Sequence, residues 1–372
     1  MRKSTSRVSS MTIILSLLLI CVTSNLSLAD PKRPLNFPDI LGYKTLACDF
    51  HMHTVFSDGE VWPTVRVKEA WRDGLDAIAI TDHIEYQPHK EDVSTNHNRA
   101  HDIVASLARE MNLLFPRGSE ITRGTPPGHF NGIFLKDSAL LETDKFLDAM
   151  KAASDQNAFI FWNHPDWKPK AMGWFEAHTT VFENGWLHGI EVANGGGYSE
   201  NAHRWCLEKN LTMMGNSDIH APESDQPYTP DQHRTLTLVL AKDKTMPALR
   251  EALFARRTIV WCKDQLIGRK PLLEALLQAC IKVEEPHLRR DNKEKETSTV
   301  WFEVANTSPV TFELKRTGRM GPTQVTLPAR TVTLVRMTVP MEAYSVDMAY
   351  TVSNVLVAPG EGLPVQAVIT LK

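Results

Sequence analysis

Cysteine is scarce in this chain. Five occur in 372 residues, and none forms a Cys-x-x-Cys pair. Neither a disulfide framework nor a thiolate zinc knuckle is therefore readable from spacing. A basic surplus is missing too. The formal net charge is −3, and Arg2, Lys3 and Arg7 are the only charges in the first 29 residues, so the rest of the chain carries −3 − 3 = −6. A mildly acidic body argues against a broad nucleic-acid or anionic-membrane surface, though not against a small phosphate ligand. Past the N-terminus no apolar run is long enough to span a bilayer. Internal repeats and low-complexity tracts are absent.

Residues 1–29 have the form of a signal peptide: a basic start, the apolar run Met11–Val22, and small residues at Ser27 and Ala29 before Asp30. The run is short for a membrane anchor, and bulky Ile20 disfavours lipidation at Cys21. The expectation is export to a bacterial periplasm or beyond, with no further membrane association. Cys48, Cys206, Cys262 and Cys280 are expected as buried free thiols.

From Leu46 to about Trp261 strands alternate with helices, a pattern that implies parallel βαβ units. Pro63–Arg72 is a helix with proline in its first turn and Gly74 just past its end. Residues 30–284 are assigned to this α/β domain. The polar, charged stretch 285–298 is assigned as a linker. Short runs of period-two alternation over 299–372 suggest a small all-β sandwich.

What the chain does have is histidine beside carboxylate, repeatedly, where hydrophobic strands give out. His51-Met52-His53 puts two imidazoles on one strand face, and Ser57-Asp58-Gly59 follows. Then come Asp82-His83, Glu120, His129, His164-Pro165 and Asp218-Ile219-His220. With 14 histidines, chance gives about 370 × (14/372)² ≈ 0.5 His-x-His pairs, so one pair says little and the recurrence carries the argument. In a parallel βα array, strand C-terminal ends share one face, and clusters placed there converge. Imidazole and carboxylate without thiolate suit Zn, Mn or Fe. Nine such donors exceed the needs of one ion, so two or three ions are implied. Paired metals serve in-line phosphoryl displacement, and the reading is metal-assisted hydrolysis, phosphoester before amide.

Taken in order, these motifs resemble those of the polymerase-and-histidinol-phosphatase (PHP) superfamily of metal-dependent phosphoesterases, over residues 46–220 and on to about 261. The stretch Glu120–Asn131 with Asn163–Trp167 is similar to exported bacterial PHP phosphodiesterases that carry a C-terminal β domain. The resemblance implies a distorted (β/α)7 TIM-like barrel with a trinuclear site. His51, His53, Glu120 and Asp218 would hold the first ion, and Glu120 would bridge to a second held by His129 and His164. Asp58, His83 and His220 would hold the third. Glu120 and Asp218 are the catalytic carboxylates by this resemblance, around a bridging hydroxide that attacks phosphorus. Asp58 stands where some members have histidine.

Further candidates are weighed beside the ligands. Arg123 is expected either to clamp a phosphate oxygen or to form an ion pair. Asn194, Asn216 and His203 are candidate substrate contacts, with loop capping as the plainer role for the asparagines. Asp82 is expected to orient an imidazole. Trp162, Trp167, Trp174 and Trp186 are core residues or an apolar wall. The function read from the sequence is a phosphodiesterase acting on a small organic phosphoester. The alternatives are a phosphomonoesterase or nucleotidase of the same fold, and a non-catalytic metal- or glycan-binding exported protein. No feature of the sequence speaks to oligomeric state.

Overall fold

A computed structural model describes residues 32–168, 172–225 and 233–371. The signal peptide expected over 1–29 lies outside these residues. The α/β part runs β1 (Lys44–Asp49), α1 (Pro63–Arg72), β2 (Ala77–Ile78), α2 (Arg99–Glu110), β3 (Gly118–Thr122), β4 (His129–Ile133), α3 (Phe146–Asp155), β5 (Phe159–Trp162), α4 (Glu176–Glu183), β6 (Gly189–Asn194), β7 (Gly197–Tyr198), α5 (Glu200–Glu208), β8 (Thr212–Asn216), β9 (Leu236–Ala241), α6 (Met246–Phe254), β10 (Thr258–Cys262), β11 (Gln265–Gly268) and α7 (Lys270–Cys280). The C-terminal strands are β12 (Ile281–Val283), β13 (Leu288–Asn292), β14 (Thr297–Asn306), β15 (Phe312–Arg316), β16 (Gln324–Leu327), β17 (Thr331–Pro340), β18 (Ser345–Ala358) and β19 (Glu361–Thr370).

The strands are not uniformly parallel, which corrects the expectation. β1–β2, β5–β6 and β6–β8 pair in parallel, whereas β1–β9, β3–β4, β4–β5, β9–β10 and β10–β11 are antiparallel. For β3–β4 and β10–β11 connection length is the reason. A parallel pair needs a crossover of a dozen residues or more, and β3–β4 and β10–β11 are joined by far shorter turns. Two sheets result, and they are joined at their seams. Single bridges Ala77↔Leu114 and His83↔Glu120 link β2 and its continuation to the segment leading into β3 and to β3 itself. On the other side, Thr237 of β9 exchanges hydrogen bonds with the Gly215 backbone of β8.

Between β4 and β5 the chain forms a short 3-10 turn, Ser138–Leu141, and then α3. Helix α4 has no strong sequence signal, because Thr179, Thr180 and Val181 are weak helix formers. Tertiary packing holds it: His178 is buried and stacks on Trp162 at 3.8 Å between ring centroids.

The stretch 285–298 is not a linker. It contains β13 and the start of β14, and β13 pairs with β14 from Leu288↔Trp301 to Asn292↔Thr297. Its polar composition reflects an exposed edge strand, where charge blocks unwanted pairing. The C-terminal region is two sheets, β12–β14–β13 with β17, and β16–β15–β18 with β19. Their inner faces meet around Phe302, Phe312, Val335, Met348 and Val352. The second sheet does not stop at the domain border. β18 pairs in parallel with β11 through Leu266↔Val355 and Ile267↔Leu356. From Arg33 onward the chain forms one compact unit. Cys48, Cys206, Cys262 and Cys280 are free and buried, as expected.

Candidate metal centre

The donor cluster forms where β1, β2, β5 and β8 run out, around Glu120 within β3. Beyond β1 the chain stays extended. The His53 amide donates to the Ile219 carbonyl and the Asp218 amide to the His51 carbonyl, so the two ligand-type segments hold each other. Gly59 permits the tight turn beneath them. A Cβ there would lie 2.5 Å from the His53 carbonyl carbon and the Thr54 nitrogen, which no side chain tolerates. Asp218 and His164 have left-handed backbone, with φ of 53° and 28°. Such conformations are costly for non-glycine residues, and the structure around them must hold them in place.

All nine residues expected as ligands come together. They fall into four groups whose donor atoms lie within 4.8 Å of one another: His53, Asp58, His83 and His220; His51, His53 and Glu120; His51, His164 and Asp218; His83, Glu120 and His129. Two carboxylates form the centre. The Nε2 atoms of His51 and His53 each stand 3.3 Å from Glu120 Oε2 and 3.1 Å from Asp218 Oδ1. Glu120 Oε1 meets His129 Nδ1 at 2.9 Å and His164 Nε2 at 3.6 Å. Asp58 meets His83 Nε2 at 3.4 Å and His220 Nε2 at 3.3 Å. Glu120 lies inside β3, opposite Asn131, not past a strand end.

The electrostatics are those of a site built around cations. Burial opposes ionisation of Glu120 and Asp218, yet the surrounding imidazoles outweigh it and hold both well below the carboxylate range. Burial likewise opposes charge on His83, but Glu120 and Asp58 raise it to about 10. His53 is the exception, since burial wins and lowers it to about 4. Its Nε2 is buried with no hydrogen-bond partner. A neutral imidazole nitrogen aimed at two carboxylates is a free lone pair without a donor, the condition a divalent cation satisfies.

Around the donors lies a supporting layer that sequence reasoning largely missed. Glu191 is the main omission. It is buried on β6, accepts from His51 Nδ1 at 2.9 Å, and takes bonds from the His164 amide, Asn194 and Asn216. Its one sequence signal is an acid within the apolar run Gly189–Ala193. A carboxylate behind a ligating imidazole fixes its tautomer and raises its basicity. Glu191→Gln is therefore expected to weaken metal affinity by about 10- to 100-fold with the fold retained. Metal titration followed by a thermal melt checks this, and unchanged affinity would count against the role. Arg66 is the second omission. Fully buried on α1, it donates to the carbonyls of His53, Ile219, His220 and Ala221. Behind it, Arg234 pairs with Asp49 and Asp73, and Asp49 accepts from Ser217 Oγ and the Ser217 amide.

Other expectations are corrected. Arg123 is not an open phosphate clamp: it pairs with Glu85 and donates to the Thr122 and Thr143 carbonyls. His203 is a fully buried core histidine bonded to the Tyr198 hydroxyl, lowered to about 4 by burial. Asn216 is fully buried, its amide used on the Phe50 amide and Glu191. Asn194 bridges Glu191 and Asp218 Oδ2. Both asparagines position the donors. Asp82 binds Thr54 and Ser57, not an imidazole, and acts on His53 only through Ser57 Oγ. Of the four tryptophans, Trp162 is core and Trp167 stands exposed beside His129 and His164. At Tyr86, whose ring lies 5.9 Å from that of His83, opens a cleft of about 680 Å³, lined by Ile84–Pro88, Lys90 and Glu142–Asp144.

Comparison with known proteins adds the following. A family model described as an Ig-like domain matches residues 281–368. A crystal structure of a two-domain protein from Bacteroides vulgatus, containing a predicted PHP-like metal-dependent phosphoesterase, is 44% identical with a TM-score of 0.87, covering 92% of this chain and 100% of that one. A candidate metal-dependent phosphoesterase of Bifidobacterium adolescentis is 16% identical over 56% of this chain and 96% of that chain, with a TM-score of 0.40. An uncharacterised protein of Methanocaldococcus jannaschii, MJ1295, is 54% identical over 43 residues; that match spans 12% of this chain and 20% of that protein.

Proposed function

Because the chain belongs to the family of PHP-like metal-dependent phosphoesterases in its two-domain form with an Ig-like C-terminal domain, we propose that it is an exported phosphodiesterase cleaving a small organic phosphoester at a site for three divalent ions, Mn, Zn or Fe. The observation that carries the reading is the convergence of six imidazoles on three carboxylates, Glu120, Asp218 and Asp58. His51, His53, Glu120 and Asp218 would hold one ion. Glu120 with His129 and His164 would hold a second, and Asp58, His83 and His220 a third. Bound there, divalent ions supply Lewis acidity toward a phosphoryl oxygen and make water nucleophilic at neutral pH.

The chain's own residues do the positioning. Glu191 takes the His51 Nδ1 proton side, which leaves Nε2 facing the carboxylates. The Asp218 carbonyl lies 2.8 Å from His220 Nδ1 and leaves its Nε2 toward Asp58. Arg66 locks the carbonyls behind both segments, so the donors are pre-set before substrate arrives. Export is read from the 1–29 segment, and a small substrate from the acidic body of the chain. The test is a phosphoester panel on full-length protein reconstituted with Mn, Zn or Fe. Hydrolysis of bis-(4-nitrophenyl) phosphate is expected, lost with chelator and restored by metal. No turnover of any mono- or diester with any of the three metals, in protein that binds them, would leave a non-catalytic binding protein as the reading.

A further inference from the structure

Two aromatic side chains stand exposed at the rim of the donor cluster. Trp167 is 58% and Tyr86 51% exposed. An indole and a phenol gain by burial, yet each sits beside ligand-type imidazoles instead of packing inward. The ring centroids run Tyr86 to His83 at 5.9 Å, His83 to His129 at 5.7 Å, and His129 to Trp167 at 5.5 Å. Trp167 is also 5.6 Å from His164. An aromatic ring therefore closes each end of a row whose middle is metal donors.

Neither position is incidental. The Trp167 amide donates to the His164 carbonyl, so its backbone belongs to the same turn as His164. Tyr86 follows His83 by three residues, on a segment whose Ile84 amide bonds to the Glu120 carbonyl. The two walls differ in shape. Tyr86 lines the cleft of about 680 Å³. The niche formed by Thr125, Gly128, His129, His164 and Trp167 holds only about 10 Å³, so Trp167 offers a face to stack on rather than a pocket to fill. Lys168 places an ammonium 4.6 Å from the Trp167 ring centroid, bringing a cation to the same rim.

We infer that Trp167 and Tyr86 receive the two organic arms of a phosphodiester, one on each side of the phosphorus. This rests on the phosphoesterase reading above and narrows it. A phosphate seated on the donors between the rings has two esterified oxygens leaving in different directions. A diester with a planar arm on Trp167 and a second, larger arm in the Tyr86 cleft uses both walls, whereas a monoester leaves one bare. The substrate class is thus a phosphodiester with a planar, aromatic or heteroaromatic substituent.

The experiment compares kcat/KM for bis-(4-nitrophenyl) phosphate and methyl 4-nitrophenyl phosphate, with 4-nitrophenyl phosphate as the monoester. It uses the full chain reconstituted with Mn, as wild type, Trp167→Ala, Tyr86→Ala and the double variant. Stacking on an aromatic side chain is sequence-tolerant and strong enough to move affinity by about five- to a hundredfold. The diaryl-to-methyl-aryl ratio of kcat/KM is expected to fall at least about tenfold in the double variant and partway in each single one. Trp167→Phe and Tyr86→Phe should keep it within about twofold, since the ring face survives. An unchanged ratio in an active double variant, or a parallel fall on all three substrates, overturns the two walls. Wild-type protein that binds metal and hydrolyses none of the three overturns the phosphoesterase reading itself, and this inference with it.

Discussion

Asp218→Ala is expected to lower metal-dependent phosphoester turnover by on the order of a thousandfold and to reduce the metal held per chain. Removing a residue that only supports a ligand already costs about 10- to 100-fold, and Asp218 stands in the donor set itself. His51 Nε2 and His53 Nε2 each lie 3.1 Å from its Oδ1, His164 Nε2 lies 3.9 Å from Oδ2, and Asn194 donates to it at 3.3 Å. Its left-handed backbone is held by the hydrogen bond its amide donates to the His51 carbonyl, which orients the carboxylate toward the cluster. Alanine cannot replace the oxygen, and water in the gap would carry no charge. The check is kcat/KM on an activated diester with elemental analysis of the purified protein. Turnover within tenfold of wild type, with a full complement of ions, would remove Asp218 from the centre.

A chain ended at Val283 is expected not to fold. Deleting residues 284–372 removes β18, and with it the ladder partner of Leu266 and Ile267 on β11. Leu273 and Leu276 on α7 belong to the same buried cluster as Phe302, Val352 and Leu363. Uncovering Leu266, Ile267, Leu273 and Leu276 costs up to roughly 6–12 kcal/mol at about 1.5–3 kcal/mol each, comparable with the whole stability of a typical domain. Expression with a soluble-fraction assay and a thermal melt tests this. A soluble truncated chain with a cooperative transition and wild-type activity would show that the Ig-like domain is an appendage.

Much of the centre was legible because its chemistry is local. A single His-x-His says little, but its recurrence with carboxylates at successive strand ends is a local pattern, and the nine residues named from it are the nine that gather. Arg66 was not legible. On a helix its charge reads as a solvated residue, and only the approach of two distant turns puts four carbonyls around its guanidinium. Arg123 was legible only as a choice between two roles, and the ion pair is the one formed. It sits where a phosphate clamp belongs in the sequence, but Glu85, 38 residues earlier, takes its charge. His203 has the residue type of a site histidine, yet lies on the buried face of α5.

The sequence by itself determined which nine histidines and carboxylates gather, the alternation of strands and helices, and the presence of a second, all-β region. Residue type, spacing and two-residue periodicity record these directly. Tertiary structure alone decided that β1–β9, β4–β5 and β9–β10 run antiparallel, that the polar stretch 285–298 contains an edge strand, and that one sheet passes through both regions. It also decided that Glu191 and Arg66 brace the donors while Trp167 and Tyr86 stay exposed beside them. Those facts depend on pairings and burial between segments far apart in the chain, where no local pattern can carry the information.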